Sequence, residues 1–176
     1  SVTETNRYKG FHDGTYYATE TASAFMNSLG VNQVGHRIIY LDNGGRMKDK
    51  TFIFATKQAL IKQVPASEFE TNNRMVAGTK LQEGDELFGV YPVEKQTDVV
   101  LQTSNAVFLR FLLEEIPLVK KASKGVRGIK LGKGEELTAL YLLGEDTVAK
   151  VNDRVVHLNR LKLSRRDGKG SKLRGS

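Results

Sequence analysis

Cysteine and tryptophan are absent from this 176-residue chain, and proline and histidine occur only three times each. Without cysteine there is no disulfide framework, no thiolate nucleophile and no cysteine-ligated zinc, iron–sulfur or haem site. His12, His36 and His157 are scattered, with no i, i+4 pair, and read as surface or turn residues rather than metal ligands. The lack of tryptophan, and of any cluster of aromatics with carboxylates, argues against a sugar-binding or hydrolytic mouth. No apolar run approaches the roughly 20 residues that cross a bilayer, and none has the flanks of a secretory h-region. A soluble, cytoplasmic protein with no membrane partner is the expectation. Ser1 in place of an initiating methionine reads as a trimmed piece of a longer protein.

What the chain has in excess is positive charge: 27 Lys and Arg against 20 Asp and Glu, a net of +7. Such an excess points toward a polyanion and carries no information about fold. Its distribution is uneven. Residues 1–100 carry 11 basic and 12 acidic side chains, whereas residues 151–176 carry 8 and 2. Between Ile116 and Gly134 six cations stand without an acid: Lys120, Lys121, Lys124, Arg127, Lys130 and Lys133. Closely spaced cations interleaved with glycine suit a loop that follows a phosphate backbone. The end of the chain, RLKLSRRDGKGSKLRGS, adds Arg160, Lys162, Arg165, Arg166, Lys169, Lys172 and Arg174 against the single acid Asp167. With little to bury beyond Leu163, residues 164–176 are expected as a basic flexible tail.

Self-similarity sets the architecture. NRMVAGTKLQEGDELFGVYPV (Asn73–Val93) aligns with KGVRGIKLGKGEELTALYLL (Lys124–Leu143) at an offset of 50, placing Gly78 on Gly128, Lys80 on Lys130 and Glu86 on Glu136. Upstream, Phe52–Phe69 aligns with Val99–Ile116 at an offset of 47, placing Thr56 on Thr103 and Ala59 on Ala106. HDGTYYA (His12–Ala18), HRIIYL (His36–Leu41) and TVAKVNDRVVHL (Thr147–Leu158) read as weaker copies. Each unit is β-structure: short Val-, Ile-, Phe- and Leu-rich runs broken by two-residue turns at Lys57-Gln58, Ser104-Asn105 and Asn152-Asp153. Only Phe111–Ile116 could form a helical turn, and Pro117 stops it. A repeat of 45–50 residues with about four strands fits a propeller-like blade, with a β-solenoid as the other arrangement.

The words within the repeats go further. FATKQALIKQVPASEF, TKLQEGDELFGV and KGVRGIKLGKGEEL resemble the C-terminal β-pinwheel domain of bacterial type IIA DNA topoisomerases, meaning the A subunits of DNA gyrase and of topoisomerase IV. The resemblance implies an all-β pinwheel of four-stranded blades, with clear blades at about 51–97 and 98–146 within a domain spanning 1–163, and three to four blades or partial blades present. It also implies a rim that binds and bends duplex DNA, in a parent enzyme that would comprise an ATPase B subunit together with the remainder of the A subunit. Under that resemblance Arg127 takes the family's loop arginine position, with Lys124 and Lys130 beside it. Arg74 and Lys80 occupy the related loop of the preceding blade, where Met75, Val76 and Ala77 replace the GVRG core and weaken the match. The stretch Ser164–Gly170 approaches the gyrase box QRRGGKG, with Ser for Gln and Asp for one Gly, and lies late in the chain. That departure favours a topoisomerase IV-like protein, or a gyrase paralogue with a degenerate box, and the short length implies a ring that is trimmed or unclosed.

No group with catalytic spacing emerges. Tyr16, Tyr17, Tyr40, Tyr91 and Tyr141 fall in strand-like patterns and read as packing. Tyr8 lacks the flanking motif of a cleavage site. Asp85-Glu86 and Glu135-Glu136 recur at one blade position and read as turn residues rather than an acid–base pair. Gly128–Gly134 lacks the hydroxyl residue and helix of a phosphate loop. The expectation is a non-catalytic DNA-binding domain with no small-molecule ligand and no cofactor of its own, ATP and Mg being used elsewhere in the parent enzyme and the whole associating with the bacterial nucleoid. The competing expectation is a propeller-type protein-interaction scaffold with a solubilising tail.

Overall fold

The computed structural model describes residues 15–19, 38–40, 51–69, 75–81 and 84–173. The described chain holds thirteen strands: β1 Thr15–Thr19, β2 Ile38–Tyr40, β3 Thr51–Thr56, β4 Leu60–Pro65, β5 Met75–Lys80, β6 Leu87–Val93, β7 Asp98–Thr103, β8 Val107–Leu112, β9 Val126–Arg127, β10 Leu137–Leu142, β11 Val148–Val151, β12 Arg154–His157 and β13 Ser171–Lys172. Among the described residues the helical elements are short 3-10 turns: Ala66–Phe69, Leu113–Glu115 and Leu158–Arg160, each directly after a hairpin. The second is the helical turn expected before Pro117.

The offset of 47 holds residue for residue in the first two hairpins. Thr51 opposes Pro65 in β3–β4, and Asp98 opposes Leu112 in β7–β8. Their turns differ from the two-residue reading. Ala59 and Ala106 adopt positive φ (67° and 57°) and close three-residue loops, with Ala59 N–H bonded to Thr56 O at 2.9 Å and Ala106 N–H to Thr103 O at 3.0 Å. A tight turn followed by one left-handed residue matches strand twist as a primed two-residue turn does, and threonine completes it. Thr56 Oγ1 accepts from Leu60 N–H and Thr103 Oγ1 from Val107 N–H. The third hairpin keeps the expected two-residue turn, with Asn152 and Asp153 at φ 49° and 65°.

Four-stranded sheets form in the orders β6-β3-β4-β9 and β10-β7-β8-β13. Their last strands come from farther along the chain: β9 pairs antiparallel with β4, and β13 with β8. An earlier sheet repeats this, because β5 lies antiparallel to β1, although β2 runs parallel to β1. Each unit therefore lends an edge strand to the unit before it, so the sheets built on 51–97 and 98–146 are each completed by a strand from farther along the chain. Residues 164–173, expected as a free tail, are likewise laid against β8. Backbone bonding to β8, which covers an otherwise open sheet edge, outweighs the entropy of a charged, glycine-containing run.

Alternation of side chains across each strand stacks the blades face to face. Ile53, Ala55 and Ile61 of one sheet meet Val99, Leu101, Leu109 and Phe111 of the next in a shared core. The opposite face of that second sheet, with Val100 and Phe108, packs on Ala149 of the third hairpin and on Leu158 of the turn after it.

Candidate nucleic-acid interface

Two segments run along blade edges in the same way. Residues 117–128 start at β4, where Gln63 N–H bonds to Pro117 O and Val119 N–H to Gln63 O (2.9 and 2.8 Å). Residues 162–173 start at β8, where Leu163 bridges Arg110 and Ser164 N–H bonds to Arg110 O at 2.8 Å. Both then leave the edge in a tight turn, closed by Ser123 N–H to Lys120 O (3.0 Å) in one and Gly168 N–H to Arg165 O (3.3 Å) in the other. A glutamate after each hairpin anchors the turn: Glu68 accepts from Lys121 N–H at 3.0 Å, and Glu115 from Arg166 N–H at 3.2 Å. Each rejoins the sheet through a glycine at positive φ, Gly125 (83°) and Gly170 (73°). A Cβ at Gly125 would strike the Ile61 carbonyl, and one at Gly170 would stand 2.7 Å from the Phe108 carbonyl oxygen. Only glycine fits both the backbone angle and the approach.

Superposing the two segments on these anchors pairs KKASKGVR (Lys120–Arg127) with RRDGKGSK (Arg165–Lys172). Cations coincide at all four basic positions: Lys120 with Arg165, Lys121 with Arg166, Lys124 with Lys169, and Arg127 with Lys172. The signal lies in the sequence at an offset of 45, visible when the basic residues themselves are aligned. Lys120, Lys124, Arg127, Lys130, Arg165, Lys169 and Lys172 are exposed, while Lys121 and Arg166 are half-buried.

The loop interiors differ. Beneath the first lies Lys62, 3% exposed, whose Nζ donates to Lys121 O and Ser123 O at 2.6 Å each and sits 5.4 Å from the centre of the Phe54 ring. Burial lowers its pKa from 10.5 to about 8, so the ammonium is retained at neutral pH. At the matching place under the second loop is Leu109, within 3.3 Å of where a Gly168 side chain would begin. Here the polar clamp shifts one residue on. Arg110 bonds Asp98 Oδ2 through Nε at 2.8 Å, and the Asn159 and Leu161 carbonyls through Nη1 at 2.8 and 2.9 Å. Thr97, then Arg110, hold the Asp98 carboxyl below its usual range. In the first segment Gln63 takes that position, donating Nε2 to the Leu113 and Ile116 carbonyls.

The loops touch each other. Arg127 meets Asp167 with two bonds, Nε to Oδ1 at 2.5 Å and Nη2 to Oδ2 at 3.1 Å. Asp167 N–H bonds to Gly128 O, Lys130 N–H to Gly168 O, and Arg166 Nη1 to Arg127 O (2.8, 3.0 and 2.9 Å). The Arg127 guanidinium holds the Asp167 carboxyl well below the usual carboxylate range. Arg127, expected as a free phosphate contact, is thus engaged by an acid of the second loop. Of the remaining expected site residues, Arg160 is exposed at the end of the Leu158–Arg160 turn, Lys162 at the start of the second segment, and Lys133 on the turn before β10. Lys80 lies in β5, but its side chain, like Arg74 and Arg174, falls outside the described residues. Burial pushes the Tyr91 and Tyr141 phenols above their ordinary range, the reverse of what a phenolate nucleophile requires. Among the described residues no group of three or more His, Cys, Asp and Glu could hold a metal, and no helix is long and apolar enough to cross a membrane.

The family model described as DNA gyrase C-terminal domain, beta-propeller, matches residues 50–94 and 97–143, more than half of the chain. The chain belongs to this family. The DNA gyrase A subunit of Helicobacter pylori is 28% identical over 149 residues, covering 81% of this chain and 18% of that protein. Its counterpart in Staphylococcus aureus (strain MRSA252) is 30% identical over 133 residues, covering 71% and 15%. The chain thus spans less than a fifth of these relatives. Among solved structures, a DNA topoisomerase IV C-terminal domain matches with a TM-score of 0.63 at 20% identity, over 73% of this chain and 43% of that one. A gyrase A C-terminal domain matches at 0.60 and 18%, over 70% and 43%. At those identities the likeness concerns the fold, and it agrees with the all-β pinwheel that the sequence resemblance implies.

Proposed function

We propose that this domain binds duplex DNA across the two adjoining basic loops and bends it around the blade edges, as the DNA-bending part of a type II topoisomerase. The observation that carries the reading is the coincidence of four cations on two loops that the fold anchors identically and sets side by side. A repeated spacing of cations on one rim suits a polyanion with a regular charge repeat. In this reading an ATPase B subunit is a partner, as is the remainder of the A subunit, while ATP and Mg serve other parts of the parent enzyme. The domain supplies binding and curvature without a cofactor. Departures at Ser164 and Asp167 from the gyrase box favour a topoisomerase IV-like role over strong wrapping.

Such binding rests on phosphates, so sequence matters little and salt matters greatly. With roughly six to ten phosphates engaged, affinity falls by about 10³–10⁵ between 50 and 200 mM salt. Fluorescence anisotropy with duplexes of increasing length tests this, and ligation of nicked circles with the domain bound tests the bending. A steep salt response with a length threshold and an altered linking number supports the reading. A flat salt response rejects it and favours the protein-interaction scaffold.

A further inference from the structure

Asp167 is the one acid among the seventeen residues from Arg160 to Ser176, and it stands among cations. Its carboxylate takes the Arg127 guanidinium side-on through Nε and Nη2. That two-pronged geometry is the one guanidinium offers to a phosphate. Lys130 and Arg166 flank the same carboxylate, Lys130 through its N–H bonded to Gly168 O and Arg166 as the preceding residue of the chain. Arg166 is tied by Nη1 to the Arg127 carbonyl, and its buried Nε has no hydrogen-bond partner. The Arg127 and Asp167 side chains are 55% and 32% exposed, so solvent and ligands reach the pair. The first loop carries no acid at the equivalent place, which is Ala122.

We propose that the Asp167 carboxylate occupies a phosphate site built by Arg127, Lys130 and Arg166, and that a DNA phosphate competes with it for Arg127. This rests on the DNA-binding reading above. Asp167 is then an internal stand-in for the ligand. It lowers the gain from the centre of the basic rim and leaves the flanking cations to initiate binding. Exposed ion pairs are weak, so the exchange is accessible without unfolding. The backbone holds the acid in place: Asp167 sits at φ 67°, with its N–H bonded to Gly128 O.

Asp167→Asn tests the idea in the full chain. Asparagine tolerates the left-handed backbone and keeps the side-chain shape while removing the charge. The expected result is duplex affinity about three- to tenfold tighter, with a salt slope steeper by about one unit, the signature of one added phosphate contact. The gain should vanish in the Arg127→Gln, Asp167→Asn double variant. Unchanged or weaker binding by a folded Asp167→Asn protein overturns the proposal, showing that the pair is structural. Asp167→Gly, which also suits the backbone angle, replaces the first variant if that one misfolds. A second readout does not depend on DNA: the Arg127 Nε–Hε resonance, followed during titration with inorganic phosphate. It should shift at lower phosphate in Asp167→Asn than in the parent, and equal titration curves overturn the competition. If no protein binds duplex while those curves differ, the DNA reading falls and the phosphate site stands.

Discussion

The loop at 117–128 and the segment at 162–173 share the anchors of their turns and returns and differ in what lies inside. Glu68 and Glu115 hold the turns, Gly125 and Gly170 return the chain to the sheet, and the cations fall in the same places. Lys62 fills the first loop where Leu109 lies beneath the second. Ala122 stands in the first where Asp167 stands in the second. The shape of a basic rim loop is therefore set by backbone bonds to the neighbouring hairpin, while its interior can be charged or apolar. Cations at four repeated positions survive that change of interior, as the proposed DNA contact requires of them and packing does not.

The largest effect should come from removing the shared anchor. Gly125→Ala forces a Cβ into the Ile61 carbonyl at a left-handed φ. It should cost about 2 kcal/mol or more in denaturant unfolding, and should speed amide exchange along the edge of β4. Gly170→Ala should do the same at β8, and a loss confined to one glycine would break the equivalence of the segments. Next comes charge. Neutralising Lys120, Lys121, Lys124 and Arg127 to Gln, or Arg165, Arg166, Lys169 and Lys172, should each flatten the salt dependence of duplex binding by about three units. The two sets should agree within about one unit.

A smaller change separates the interiors. Lys62→Met gives the first loop an apolar filling like that of the second and removes two bonds to its carbonyls. Amide exchange at 120–125 should quicken by roughly ten- to thirtyfold, with 164–170 unaffected. Lys62 also sets a pH signature. Its folded pKa is about 8 against 10.5 unfolded. Below pH 8 both states carry the proton. Between 8 and 10.5 the unfolded state binds more, so this group makes stability rise with pH across that window. Chemical denaturation at about pH 7.5 and about pH 9.5 should show the rise in the parent and lose it in Lys62→Met. The least effect belongs to Glu68→Gln and Glu115→Gln, which keep an acceptor for Lys121 N–H and Arg166 N–H and should cost less than about 1 kcal/mol each.

Much of the fold was legible because apolar alternation and the offset of 47 mark β3–β4 and β7–β8 directly. The turns were less so, since alanine carries no sign of the left-handed angle that Ala59 and Ala106 adopt. Edge-strand exchange left no periodic trace: β9 and β13 are two residues long and pair with strands far back in the chain. The second basic segment reads as a loose arm by composition, because charge and glycine mask backbone bonding. The Arg127–Asp167 contact depends on two loops brought together by the blades, which no local pattern encodes. The first loop's cations, by contrast, stood out as an acid-free run and lie exposed or half-buried on the blade edge.

The most direct test measures the slope of log affinity against log salt for one duplex with the parent chain, each four-cation variant and the eight-cation variant. Two equivalent loops on one DNA path predict that each set lowers the slope by a similar amount, and that the losses add in the eight-cation protein. Loss of the whole slope with one loop, and none with the other, would contradict it.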